Sequence, residues 1–162
     1  MQSPARRNDS ISPNNPEEMF VTVWIGKLDL TTGKLVSANA GHEKPVLMRA
    51  GGDFELISQK HDFVIGGMEN INYHETETIL EPGSKLFLYT DGLPEATDAA
   101  DNMFGTGRMV EVLNRCKENA PEDILRSMKE SVDEFTGDAD QFDDLTMLCL
   151  EFNGPADTTV LH

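Results

Sequence analysis

Basic residues are scarce in this chain of 162 residues: 13 lysines and arginines stand against 29 aspartates and glutamates, a formal net charge of −16. Such a surface repels phosphate backbones and anionic headgroups, which excludes nucleic acid and a membrane surface as partners held by bulk electrostatics. A substrate carrying phosphate meets the same repulsion, so a site for one requires metal ions or a local basic patch to reverse the field. Cysteine is scarcer still. Cys116 and Cys149 fall in a helical and a strand pattern, without metal-ligand spacing, and both read as buried thiols. No apolar run approaches the length of a bilayer span, and the N-terminus lacks the apolar stretch of a signal peptide, so a cytoplasmic protein is expected. The 38% of hydrophobic residues suffices for a core, and the length suits one globular domain.

Residues 1–18 are polar and carry Pro4, Pro13 and Pro16, which predicts a flexible lead-in. From Phe20 to Leu30 the pattern is that of a long strand, and Thr31-Thr32-Gly33 turns it back into Leu35–Ala38 as a β-hairpin. Further strands are predicted at Pro45–Met48, at Phe54–Ile57 after the Gly51-Gly52 turn, and at Tyr73–Leu80. Glu81-Pro82-Gly83-Ser84 has the residues of a type II turn and feeds a strand that ends at Asp91. After Gly105 the period becomes helical. Met109, Val110, Leu113 and Cys116 share one face, and Ile124, Leu125, Met128, Val132 and Phe135 share another, with Pro121 and Gly137 bracketing the second helix. A last strand, Leu145–Phe152, precedes a tail from 154 to 162. This order predicts an α+β fold: a mainly antiparallel β-sheet with two helices packed on one face, the returning strand bringing Asp143 near Asp91.

Two acidic motifs stand out. Lys85-Leu86-Phe87-Leu88-Tyr89-Thr90-Asp91-Gly92 and Phe142-Asp143-Asp144-Leu145-Thr146-Met147-Leu148 each set carboxylates at the end of a buried strand. A carboxylate fixed at the rim of a sheet is well placed to hold a hard cation such as Mg²⁺ or Mn²⁺. From the residues alone, the simpler reading of Asp91 is a turn aspartate before a glycine. Asp98, Asp101 and Asn102 lack the spacing of a calcium loop and read as a solvated turn, and Gly105-Thr106-Gly107-Arg108 as a simple helix start rather than a phosphate cradle. Glu75, Glu77 and Glu81 read as a solvated edge that discourages strand-to-strand aggregation.

Asn39-Ala40-Gly41-His42-Glu43-Lys44-Pro45, Tyr89-Thr90-Asp91-Gly92-Leu93-Pro94-Glu95-Ala96 and Phe142-Asp143-Asp144-Leu145-Thr146 resemble, in order and spacing, the C-terminal motifs of PP2C-type (PPM) serine/threonine phosphatases, in the bacterial SpoIIE and RsbU-like branch. The resemblance spans roughly residues 17–152 and implies a PP2C-like αββα sandwich enclosing two Mn²⁺ or Mg²⁺ ions. A water between them would attack a phosphoserine or phosphothreonine. By resemblance Asp91 and Asp143 are metal ligands, with Gly92, His42 and Asp144 as further candidates, His42 lying where some members hold a further metal. Asp144 points the other way on a regular strand and reads as a supporting or turn residue. The implied partner is a phosphorylated protein such as an anti-anti-sigma factor.

The sequence also departs from the pattern. The family carries an upstream Gly-Asp-Val block whose aspartate bridges both metals, and here Gly52-Asp53-Phe54 and Gly137-Asp138-Ala139 stand in a hairpin and a loop instead. Residues 19–153 therefore read as the C-terminal portion of a phosphatase domain, a partial sandwich. Weak or absent activity of this chain alone is expected, with self-association through exposed sheet. The alternative is a catalytically incomplete remnant that serves as a regulatory protein-binding module.

Overall fold

Alternation of apolar residues along short segments and a helical period after Gly105 are resolved, among the residues that a computed structural model describes, into seven strands and two helices. It describes residues 19–58, 60–68, 71–139 and 143–155. The expected lead-in 1–18, Phe142 and most of the tail lie outside them. In chain order the elements are β1 (Val23–Leu28), β2 (Lys34–Ala40), β3 (Val46–Met48), β4 (Phe54–Leu56), β5 (Thr76–Ile79), β6 (Ser84–Tyr89), α1 (Gly105–Arg115), α2 (Pro121–Thr136) and β7 (Met147–Phe152). They form two antiparallel sheets, ordered β1-β2-β5 and β4-β3-β6-β7. The chain divides into two compact units, one of Met1–His42, Ser58–Ile79 and Pro155–His162, the other of Glu43–Ile57 and Leu80–Gly154.

The first unit carries the three-stranded sheet. β1 is shorter than the predicted run from Phe20, because only Val23–Leu28 finds partners on β2; Val21 makes an isolated bridge to Ile65. The hairpin turn depends on an aspartate as well as on Gly33. Asp29 Oδ1 accepts hydrogen bonds from the Thr31 and Thr32 amides and the Thr31 hydroxyl, while Gly33 takes a positive φ of 71° and donates to the Asp29 carbonyl. The Thr31 hydroxyl first, then its amide, hold the Asp29 carboxyl below its ordinary range. β5 is an edge strand confined to Thr76–Ile79, and its Glu77 pairs with Lys34 of β2 in solvent.

The second unit carries the helices. Register sets one face of its sheet: Val46, Phe87 and Cys149 lie in one cross-strand row, and Tyr89 and Met147 in another. Met48 and Phe54 continue that face. Against them pack Met109, Val112 and Leu113 of α1 and Ile124, Met128 and Val132 of α2, closing a buried cluster. The two helices thus cover one face of this sheet, as predicted. Asn114 of α1 pins the edge strand β4, its side chain accepting from the Phe54 amide at 2.7 Å and donating to the Phe54 carbonyl at 3.1 Å. The turn before β6 has the expected bond from the Ser84 amide to the Glu81 carbonyl, with Gly83 at φ 90°. Lys85 is buried in β6, and its ammonium donates to the Lys117 carbonyl just beyond α1, a favourable place for a cation. Both thiols are free; Cys116 is buried and Cys149 half-buried, and burial raises each thiol pKa, that of Cys149 to about 11.

Candidate active site

β6 ends at Tyr89 and β7 begins at Met147, its antiparallel partner, so the loop leaving one strand lies beside the loop entering the other. This is why Asp91 and Asp143, 52 positions apart in the chain, belong to one locality. Thr90 locks the two loops together. Its amide donates to the Thr146 carbonyl at 3.1 Å, its hydroxyl donates to the Asp144 carbonyl at 3.0 Å, and the same oxygen accepts from the Thr146 amide at 3.0 Å. Gly92 completes the contact: a Cβ there would stand 2.7 Å from the Asp144 carbonyl oxygen, so no larger residue lets the loops approach this closely.

Each aspartate is oriented by a neighbouring amide. Asp91 Oδ1 accepts from the Gly92 amide at 3.1 Å, and Asp143 Oδ1 from the Asp144 amide at 2.7 Å. Gly92 contributes close approach, and Asp144 contributes its backbone, as acceptor for Thr90 and donor to Asp143. The Glu95 amide donates to the Asp91 carbonyl, which makes the segment after Asp91 a compact turn. Thr90 is the residue that sequence reasoning missed. Its only signal was a hydroxyl one position past the largely apolar strand that ends at Tyr89.

His42 belongs to the first unit. Its amide donates to Asn39 Oδ1, its carbonyl accepts from Asn39 Nδ2, and its ring Nδ1 lies 3.4 Å from the Thr22 hydroxyl. Those contacts describe a loop histidine held by its backbone. Asp53, of the Gly-Asp-Phe segment, is paired with Lys117 in the turn between β3 and β4. The Asp98 carboxylate accepts from Asn102 and from the Ala100 amide, a local turn whose hydrogen bonds, led by the Asn102 side chain, hold its pKa below the ordinary value.

Among the described residues, no group of three or more His, Cys, Asp or Glu side chains is placed to hold a metal ion. The carboxylates of Asp91 and Asp143 are oxygen donors of the kind a hard cation takes, and further oxygen ligands would have to complete its shell. The pair does not suit two cations. Among the described residues no helix is long and apolar enough to cross a membrane.

Residues 4–153 match the family described as stage II sporulation protein E (SpoIIE). Protein IcfG of Synechocystis sp. is 29% identical over 147 residues, covering 90% of this chain and 23% of that protein. The chain therefore spans about a quarter of the length of this curated relative. Among solved structures, the RsbU and RsbW domains of Rv1364c from Mycobacterium tuberculosis match with a TM-score of 0.76 at 23% identity, covering 91% of this chain and 40% of that one. The phosphatase domain of the cell fate determinant SpoIIE from Bacillus subtilis, presoaked with Mn, matches with a TM-score of 0.64 at 17% identity, covering 83% and 58%. At these identities the likeness is one of fold.

Proposed function

Because the chain belongs to the SpoIIE family of PP2C-like phosphatase domains, we propose that it acts on the phosphoserine or phosphothreonine of a partner protein, with Asp91 and Asp143 as the ligands of a Mn²⁺ or Mg²⁺ ion. The observation that carries this reading is the pair of strand-end loops joined through Thr90, each of which presents a carboxylate that accepts from the following backbone amide. A divalent cation supplies Lewis-acid chemistry there, lowering the pKa of bound water and neutralising charge on the phosphoryl group. Asp91 and Asp143 hold negative charge where the cation is needed, Thr90 fixes the distance between their loops, and Asp144 keeps the Asp143 carboxylate turned by its amide. The excess of acidic residues makes such a cation a requirement for approach of a phosphate. The partner we infer is an anti-anti-sigma factor of a partner-switching pathway, acted on in the cytoplasm.

A second reading is favoured by the carboxylate count. With no group of three ligating side chains among the described residues, the alternative is that the chain alone would serve as a regulatory protein-binding module rather than as a complete binuclear enzyme. Mn²⁺-dependent release of phosphate from a phosphoserine protein, measured for the chain and for Asp91→Asn, separates the two. Metal-dependent turnover lost in the variant supports the phosphatase; no metal-dependent turnover by the wild type removes catalysis by this polypeptide alone. Weak or absent turnover is expected.

A further inference from the structure

Beside Asp143 the second unit carries a cleft of about 330 Å³, walled by the segment after Gly92 on one side and the C-terminal half of α2 on the other. Its interior is apolar, with Ala96, Val132 and Leu145. Four carboxylates line it, from Glu95, Asp101, Asp133 and Asp143, against one ammonium, that of Lys129, which is itself ion-paired with Asp133. A second source of negative potential points the same way. The C-terminus of α2 runs along this wall, ends at Thr136 with no basic side chain in its last turn, and is followed by Gly137. Helix C-terminal carbonyls favour a cation, and here no side chain of the helix end supplies one.

An apolar body with a cationic head matches these walls, and that is the chemistry of a lysine or arginine side chain, whose stem buries while its charge meets acceptors. A metal ion fits them poorly, since no three ligating side chains converge among the described residues. Because Asp143 belongs both to the cleft and to the proposed phosphoryl site, a side chain seated here lies next to a bound phosphoserine. We propose that the cleft is a specificity pocket that takes a basic side chain of the phosphoprotein substrate, adjacent to its phosphoserine. The proposal rests on the phosphatase reading above, and it explains how a strongly acidic surface can select a phosphorylated partner: the flanking basic residue supplies the attraction that the phosphate lacks.

The test is fluorescence anisotropy of labelled peptides carrying arginine, norleucine or glutamate beside a serine, each in phosphorylated and unphosphorylated form, titrated with the chain in Mn²⁺ buffer. The arginine peptides bind about three- to fivefold tighter than the norleucine peptides at low salt, the advantage shrinking as salt is added. The glutamate peptides bind weakest. In the double variant Asp101→Asn, Asp133→Asn the arginine advantage disappears while the norleucine affinity stays; both changes are isosteric, and asparagine tolerates the positive φ of 60° at position 101. Equal binding of arginine and norleucine peptides overturns the proposal, as does an advantage that survives the double variant. A gain from phosphate with none from arginine overturns the cleft and leaves the phosphatase reading standing. A gain from arginine with none from phosphate supports the cleft and removes that reading. Mn²⁺ that competes with the unphosphorylated arginine peptide in Asp91→Asn assigns the cleft to a metal ion and also overturns the proposal.

Discussion

The α-carbon of Gly92 lies against the backbone carbonyl of Asp144, so that a methyl group there would stand 2.7 Å from the oxygen. Backbone cannot yield as a flexible side chain can, and the two loops must part to admit it. Gly92→Ala is expected to destabilise the protein by about 1–3 kcal/mol, as overpacking does, read by urea denaturation, and to weaken Mn²⁺ binding measured by calorimetry. Gly107→Ala is the control. Nothing lies within 4 Å of a Cβ at that position of α1, so the change should stabilise by roughly 0.5–1 kcal/mol.

Thr90→Val keeps the shape and removes the hydroxyl that bonds both the Asp144 carbonyl and the Thr146 amide. Stability should fall by about 1–3 kcal/mol, the cost of leaving such groups unpaired, whereas Thr90→Ser should recover most of it. Equal stabilities of the Val and Ser variants would show that the loops hold together without this oxygen.

Asn114→Ala removes two hydrogen bonds to the backbone of Phe54. A loss of about 1–3 kcal/mol is expected, with faster amide exchange confined to β4 and its neighbours by hydrogen exchange. Uniform exchange across the sheet would mean that β4 is not held by α1.

Burial raises the Cys149 thiol from 9.0 to about 11, so between those values the folded chain holds a proton that the unfolded chain has released. The folded state binds more protons there, and stability therefore decreases as pH rises from about 9 towards 11. Tyr89, pushed upward by burial first and the Glu43 carboxylate second, adds to the same trend at higher pH. Denaturation midpoints that hold constant through pH 9–11 would contradict this. Ellman's reagent at neutral pH should react slowly with the native chain and promptly in urea.

Large apolar side chains remain exposed in both units, among them Phe63 and Ile79 in the first and Leu56 and Leu148 in the second. Concentration-dependent self-association is the expected consequence. Light scattering that gives a constant monomer mass at high concentration would exclude it.

Elements with a strong local pattern were legible in the sequence. Both helices, the β1–β2 hairpin, the turn at Pro82-Gly83 and the strand ending near Asp91 follow from periodicity and turn chemistry, which neighbours in the chain decide. Strand limits were not. The run from Phe20 is uniformly strand-like, yet regular pairing starts at Val23, because a strand extends only as far as its partner does. Division of the strands into two sheets was likewise hidden, since β5 reads the same whether it pairs with β2 or with β6. The aspartates of the site were legible as residue types at strand ends.

By itself, the sequence determined the family, the strongly acidic surface and the two carboxylates, because motif residues and charge are properties of the chain alone. Only the tertiary structure decided that Thr90 and Gly92 bring their loops together, and that α2 faces the segment after Gly92 across an acidic cleft. Those relationships join residues tens of positions apart, and pairing between β6 and β7 creates the first of them.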